Sequence, residues 1–194
     1  GSIYLSALDA IATYLAPSEA DKGQPMAQTS AWRRRKLEVA LAAWTALRHD
    51  LVPFARAPSA PPRTFLVNKT NAAGVTGFVE PHPEAIAKIL GLARQLARGL
   101  DALGALPGDG PARPLLREID EVLTVAFRVS LREANDEPLT SEEGAQLAAL
   151  PTRIAELEAR LGPIADTPLV ADVHVDSASG RVLEEGIGFL DDVA

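Results

Sequence analysis

The segment Pro83–Leu103 reads PEAIAKILGLARQLARGLDAL and has the clearest helical period in the chain. Its apolar residues recur at intervals of three and four, which places them along one side of an α-helix. Pro83 suits the first helical position, because an N–H group there would have no partner inside the helix. We therefore predict an amphipathic helix of about six turns that packs through this face. The face consists of Ile86, Ile89, Leu90, Ala93, Leu96, Ala97, Leu100 and Leu103.

Similar periods on either side of this segment predict four more helical regions. In the last of them, Thr140 and Glu143 form a capping box, in which the hydroxyl and the carboxylate satisfy free amides at the helix start. The regions cover Ile3–Ala16, residues 29 or 30 to 49, the stretch after the Pro/Gly loop Gly104–Pro114, and the stretch after Thr140.

Two details refine these helices. Pro151 lies inside the last one and predicts a kink or two abutting helices, because proline removes a backbone donor. Both tryptophans of the chain, Trp32 and Trp44, lie on the second helix. Because indole rings bury a large apolar area, we expect the helices to pack around these two residues.

The period changes in the last 30 residues. Leu169–Asp176 alternates strictly between apolar and polar residues, as expected for a half-buried strand. Ser177–Gly180 is turn-like, and Arg181–Ile187 can return as a second strand. These features predict a β-hairpin at residues 169–188.

Composition agrees with a mainly α fold. The chain of 194 residues contains 34 Ala and 26 Leu, whereas aromatic residues make up 5%. Ala and Leu favour helices, and few β-favouring residues are left to build a sandwich or barrel. We predict an irregular bundle of five to six helices with a small C-terminal β-hairpin, at the margin of the α+β class.

The domain organisation follows from the same patterns. We expect residues 3–194 to form a single domain with a Pro-rich loop at 53–62. Gly1-Ser2 is typical of a short remnant left after tag removal, and the apolar period has already begun at residue 3. The sequence therefore predicts a fragment of a longer chain.

Charge is unevenly distributed along the chain. Residues 1–132 hold 12 acidic and 16 basic side chains, whereas residues 133–194 hold 14 acidic and 3 basic ones. Halves of opposite sign indicate either intramolecular docking or a polar partner. A solvated acidic face would produce the same distribution, and both interpretations stay open at this point.

Several functional classes are disfavoured. The chain has no cysteine, so thiolate chemistry and disulfides are excluded. No apolar run reaches the roughly 20 residues that a membrane span needs. An acidic net charge with few aromatics argues against nucleic-acid binding, so we interpret the basic run Arg33–Lys36 as a solvated helix face or a docking patch for the acidic C-terminal part.

The strongest candidate for a chemical site is Asp172-x-His174-x-Asp176. On a regular strand these side chains share one face, where a histidine and two carboxylates are able to bind a divalent metal or support general-base chemistry. Glu184, on the returning strand, is a cross-strand partner that would complete the set. The alternative is that these are the polar residues of an amphipathic strand, although aspartate is depleted in strands.

A second candidate is Arg48-His49-Asp50, at the end of the second helix. A His-Asp pair is also the start of a metal phosphohydrolase motif, but no second such element follows at suitable spacing. Adjacent helical residues do not face each other. A cationic pair near a helix C-terminus also complements the helix dipole without any further function.

An ordered set of short strings resembles a family of exported bacterial proteins, many of them lipoproteins, that is catalogued as DUF3160, a domain of unknown function. The resemblance covers about residues 25 to 190 and matches the C-terminal half of those proteins. The strings are Ala31-Trp32 with Lys36-Leu37, Ala40-Leu41 with Trp44, Leu47–Asp50, Gly77–Pro81 with Pro83-Glu84, Leu139-Thr140 with Glu143, Val170–His174 with Asp176, and Leu183–Gly186 with Gly188.

The resemblance implies a secreted or cell-envelope location outside the cytoplasm, and it supplies no activity. It places two of its strings on both site candidates, so we expect them to form one polar cluster. The cluster would comprise Arg48, His49, Asp50, Asp172, His174, Asp176 and Glu184.

Since no strong catalytic motif is present, we expect a non-catalytic protein-binding or scaffolding module that needs no cofactor. Its partner would be another protein or the missing N-terminal part of the same chain. The alternative is a metal-dependent hydrolase that binds a divalent metal through Asp172, His174 and Asp176.

Overall fold

The structure is a computed structural model. It describes residues 2–51, 78–108, 110–161, 169–176 and 178–187; for most of the hairpin and the end of the second helix it describes the backbone. The helices are α1 (Ile3–Leu15), α2 (Ser30–Leu51), α3 (Pro83–Ala102), α4 (Ala112–Ala134) and α5 (Ser141–Leu161). Two short 3₁₀ turns, Glu19–Gly23 and Pro25–Gln28, join α1 to α2. The strands are β1 (Leu169–Asp176) and β2 (Arg181–Ile187).

The mainly α architecture with a C-terminal hairpin is confirmed. One start point differs from the prediction, because α4 begins at Ala112 and not after Pro114. Pro114 therefore lies in the first turn, where the missing N–H breaks no intrahelical hydrogen bond. The predicted loop at 53–62 lies outside the described residues.

The capping box at the start of α5 forms as predicted. Glu143 N–H donates to the Thr140 hydroxyl at 3.2 Å, and Thr140 N–H donates to Glu143 Oε2 at 2.9 Å. Arg132 Nε of α4 donates to the other oxygen of Glu143 at 2.8 Å. The Thr140 amide and then the Arg132 guanidinium lower the pKa of Glu143 to about 2. The helix continues through Pro151 as one element, so of the two predicted alternatives, a kink or two abutting helices, the second is wrong.

Substituting Glu143→Gln should reduce the acid sensitivity of the fold. The folded pKa of Glu143 lies below its usual value, so its stabilising effect is present above about pH 4.5 and is lost as the pH falls toward 2. Glutamine retains the capping box but carries no charge for Arg132. Urea midpoints at neutral pH and at about pH 3 should differ less in this variant than in the parent. If the two midpoints differed as much in the variant as in the parent, the lowered pKa of Glu143 would be contradicted. Glu142→Gln, at an exposed neighbouring position, is the control.

The helices pack in a continuous series. The hairpin contacts α2, α2 contacts α1, α1 contacts α3, α3 contacts α4, and α4 contacts α5. The main apolar core lies between α4 and α5 and comprises Val122, Val125, Val129, Leu147, Leu150 and Leu157.

The expected packing around the two tryptophans is therefore wrong. Trp32 and Trp44 are only half-buried, whereas Val129 is completely buried. The Arg35 guanidinium lies 4.7 Å from the centre of the Trp32 ring. This is a cation–π geometry, so the Trp32 indole contacts a charged side chain. The core instead forms where the valine row of α4 meets the leucine row of α5.

Ion pairs join the basic and acidic parts of the chain where α4 meets α5. Arg132, in the basic part, contacts Glu143 and Glu137 of the acidic part, as the charge distribution predicts. In other pairs the arginine lies on α5, in the acidic part, and the glutamate lies on α4, in the basic part. They are Arg153 with Glu121, and Arg160 with Glu118. Charge asymmetry thus contributes to docking of α5, but it does not explain the docking alone.

The basic run of α2 divides between solvent and intramolecular contacts. Arg34 is exposed and pairs with Glu38 one turn later. Lys36 is buried, with its Nζ 3.6 Å from Asp21 Oδ2 and 5.2 Å from the centre of the Tyr14 ring. A buried ammonium needs such partners, because it has lost its hydration. Lys36 is therefore not part of a solvated face, and its described partners lie in the N-terminal part of the chain and not in the acidic C-terminal part.

Candidate functional site

The hairpin brings part of the predicted polar cluster next to α2. Both strands contact α2, whose last turn includes Arg48, His49 and Asp50. Asp172 is the cross-strand partner of Glu184 in the register of the antiparallel pair. The side chains of His49, Asp50, Asp172, His174 and Glu184 lie outside the described residues. The expected cluster therefore stays a prediction, supported by the contact between its two elements.

The register of β1 departs from strict alternation. Asp172 pairs with Glu184 and His174 pairs with Leu183, so the pairing shifts by one residue between them. Such a β-bulge inserts an extra residue and interrupts the regular two-residue period. The two-residue period that places Asp172 and His174 on one face of a regular strand does not hold across this bulge.

Asp176 has a structural role in the hairpin turn. Its Oδ1 accepts the Ala178 N–H at 3.0 Å, and its Oδ2 accepts the Ser179 hydroxyl at 2.5 Å. These contacts, with the Ser179 hydroxyl first, lower the pKa of Asp176. Gly180 then closes the turn with a φ of 65°, which glycine adopts without strain. A metal ion at Asp176 would have to compete with these donors.

Arg48 is the other member of the predicted cluster whose side chain is described. Its Nε is buried and has no hydrogen-bond partner among the described residues. A buried guanidinium nitrogen without a partner is costly, so this position is consistent with a polar cluster at the end of α2.

A different polar centre, which the sequence did not predict, joins four elements of the fold. We call it the Glu80 junction; it consists of Tyr14, Arg35, Glu80, His82 and Ser130. The Tyr14 hydroxyl of α1 donates to Glu80 Oε2 at 3.0 Å, and Arg35 Nη1 of α2 donates to the same oxygen at 3.1 Å. Glu80 precedes α3, so its carboxylate ties this entry segment to both helices.

Ser130 connects the same segment to α4. Its side chain is completely buried; the hydroxyl accepts the His82 N–H at 2.9 Å and donates to the Glu80 carbonyl at 2.8 Å. A second link lies beside it, where Val79 N–H donates to Glu133 Oε2 at 3.1 Å. Burial raises the pKa of Glu133, and the Val79 hydrogen bond opposes that shift.

The His82 ring is buried inside the junction. Its exposed fraction is 3%, its centre lies 5.7 Å from that of the Tyr14 ring, and its Nε2 lies 3.4 Å from the Ala16 carbonyl oxygen. Although it lies between Pro81 and Pro83, just before a helix, His82 is thus a buried residue and not a surface one. His82 occupies the N-cap position of α3 without a side-chain capping bond, because its ring faces α1.

The electrostatics of the junction are most evident at Tyr14. Burial, and then the nearby Glu80 carboxylate, raises the pKa of Tyr14 to about 12. A neutral phenol is therefore favoured in the folded state, because a phenolate would lie beside the glutamate.

We expect part of the tyrosine absorbance change to occur near pH 12. Spectrophotometric titration of the folded protein should show a component at about this pH, which Tyr14→Phe removes. Since the folded pKa exceeds the unfolded value of about 10, the stabilisation is complete below pH 10 and is lost toward pH 12. A Tyr14→Phe titration identical in shape to that of the parent would contradict the burial of Tyr14 beside Glu80. Tyr4→Phe is the matched control.

Metal coordination has no support in the described part of the chain. There, no three histidine, aspartate or glutamate residues form a group suited to hold a metal ion. Asp172, His174 and Glu184 are not covered by this finding, since their side chains are not described. Likewise, no helix within the described ranges is both long enough and apolar enough to cross a membrane.

The fold and the junction together define a class: a mainly α-helical protein with a C-terminal hairpin, whose helices are joined around a buried polar segment. The chain belongs to the family described as "Protein of unknown function (DUF3160)", whose model matches residues 1–194. The resemblance inferred from the short strings is thereby confirmed and extends over the whole chain. No curated protein and no solved structure gives a significant match.

Proposed function

We propose that the chain is a non-catalytic protein-binding or scaffolding domain of an extracytoplasmic cell-envelope protein. One observation carries the proposal. Each side chain of the Glu80 junction contacts another element of the fold: Tyr14 and Arg35 bind Glu80, and Ser130 bridges its carbonyl to His82. Groups engaged in this way stabilise an arrangement of helices, as a scaffold requires.

The extracytoplasmic location rests on the resemblance to exported lipoproteins and secreted proteins. The absence of cysteine from the sequence is compatible with any compartment and also provides a clean experiment. Leu103, at the end of α3, is 82% exposed and accepts substitution without loss of a core contact.

A single Leu103→Cys variant of the full-length protein tests the location. A membrane-impermeant maleimide should label it in intact cells, and the cysteine-free parent is the background control. Labelling that requires lysis of the cells would contradict an extracytoplasmic location. Labelling before lysis at the same extent as afterwards is the expected result.

The metal-dependent hydrolase remains the second candidate. The observation in its favour is the register that pairs Asp172 with Glu184 beside α2. The bulge before His174 and the engagement of Asp176 in the turn weigh against it.

Elemental analysis of the purified full-length protein discriminates between the two functions. The scaffold proposal predicts no stoichiometric metal in the parent and no change in His174→Ala. The hydrolase predicts about one equivalent of a divalent metal that is lost in this variant but kept in Glu158→Gln, an exposed carboxylate on α5. Metal with that pattern would overturn the scaffold proposal.

A further inference from the structure

A cleft of about 470 Å³ lies between α3 and α4, away from the Glu80 junction. Pockets of this size accommodate small ligands. The charged side chains that line it are predominantly basic. They are Arg94, Arg98 and Asp101 of α3, and Arg113, Arg117 and Asp120 of α4.

Two of the arginines are held in place by carboxylates. Arg94 forms a bidentate pair with Asp120, with N–O distances of 2.5 and 3.1 Å. Arg113 Nη2 donates to Asp101 Oδ1 at 2.7 Å and to the Leu106 carbonyl at 2.9 Å. Each pair joins α3 to α4, and within each pair the opposite charges neutralise each other. The two pairs therefore form fixed walls of the cleft.

The other two arginines have no carboxylate partner among the described residues. Arg98 and Arg117 are exposed, and neither forms an ion pair or hydrogen bond with any residue that the structure describes. The described lining therefore carries two positive charges that are not balanced locally. Each guanidinium presents a planar set of N–H donors that matches the oxygens of phosphate or carboxylate.

The start of α4 adds to this positive field. Its N-cap, Pro111, provides no side-chain acceptor, and its first turn contains no acidic residue. Because Pro111 and Pro114 have no N–H, the free donors at this end are the amides of Ala112 and Arg113; together with the helix dipole they favour an anion. Arg113, in the first turn, lines the cleft, so the helix start and the guanidinium groups act on the same space.

We propose that the cleft between α3 and α4 binds a multivalent oxyanion, with Arg98 and Arg117 as its principal ligands. Arg94 and Arg113 position the walls and contribute secondary donors. Phosphate and carboxylate groups share the required chemistry, since both accept paired N–H bonds from arginine. The inference does not depend on the scaffold function, because it rests on the lining of a separate cleft.

Isothermal titration calorimetry with inorganic pyrophosphate tests this site. The 194-residue chain should give saturable binding at one site at low ionic strength, where charge pairs are least screened. Arg98→Ala and Arg117→Ala should each weaken binding about tenfold, since each removes a charged hydrogen-bond donor set. Arg34→Ala is the matched control: it removes the same charge from an exposed position on α2 and should change affinity less than about twofold.

The remaining outcomes are also informative. Equal weakening by Arg34→Ala would overturn the proposal. NMR shift changes confined to residues 94–120 would support it in the parent, without reliance on any variant. Tricarballylate is the second probe: tighter binding of tricarballylate than of pyrophosphate supports a carboxylate-bearing ligand, and tighter binding of pyrophosphate supports a phosphate-bearing one. Failure of both probes overturns the site.

Discussion

Leu150→Ala should lower the free energy of unfolding by about 3 kcal/mol. Leu150 is 6% exposed and belongs to the core cluster between α4 and α5. Truncation removes three carbon atoms and leaves a cavity beside Val129 and its neighbours, which are held in place by two long helices. Urea denaturation followed by far-UV circular dichroism measures the change, provided that the slope of the transition is unchanged.

Ile154→Ala is the matched control on the same helix. Ile154 is 42% exposed, although it continues the apolar period of α5, so its loss should cost less than about 1 kcal/mol. Equal losses in the two variants would mean that this face of α5 is not packed against α4 as described.

Ser130→Ala should lower the free energy of unfolding by about 2 kcal/mol, a large effect for the removal of one oxygen atom. The hydroxyl both accepts from His82 N–H and donates to the Glu80 carbonyl, at a position with no exposed surface. Water cannot readily replace it there, so these two backbone groups would each lose one buried partner and keep only their hydrogen bond to each other, at 2.7 Å. The same denaturation experiment measures this loss.

Ser141→Ala provides the corresponding control. Ser141 is exposed in the first turn of α5, so its replacement should change stability by less than about 0.5 kcal/mol. If Ser130→Ala were as mild as this control, the bridge between α4 and the segment before α3 would have no energetic importance.

Much of the fold could be predicted because its signals are local. The apolar period identified α3 and its start at Pro83, and the Thr140–Glu143 box identified the start of α5. The β-hairpin followed from alternation and a turn. The location of the core did not follow, because a period shows which side of a helix is apolar but not which neighbour covers it. Hence the tryptophans of α2 were a poor guide to a core that lies between α4 and α5.

The Glu80 junction could not be predicted for a related reason. Its hydrogen bond between Tyr14 and Glu80 joins residues 66 positions apart, and the bridge from Ser130 to the Glu80 carbonyl joins residues 50 positions apart. No spacing rule for a single helix or strand relates such residues. One usable signal was present, since the string Gly77–Pro81, which includes Glu80, is among those that carry the family resemblance.

The candidate site in the hairpin was predicted from a local pattern that the strand pairing interrupts. Its residues were selected by a two-residue period that is correct for a regular strand, and the bulge between Asp172 and His174 interrupts that period. A bulge depends on the pairing of two strands, so one strand's sequence gives little indication of it. Two features expected from the sequence are found in the structure: Asp172 pairs with Glu184, and the hairpin contacts α2.

The most direct test of this account is a double-mutant cycle between Tyr14→Phe and Glu80→Ala, measured by urea denaturation. The central claim is that the Glu80 carboxylate holds α1 to the segment before α3 through the Tyr14 hydroxyl, at 3.0 Å. We predict that the two substitutions are non-additive, with a coupling free energy of about 1 kcal/mol. Additive effects, with a coupling free energy below about 0.3 kcal/mol, would contradict the claim.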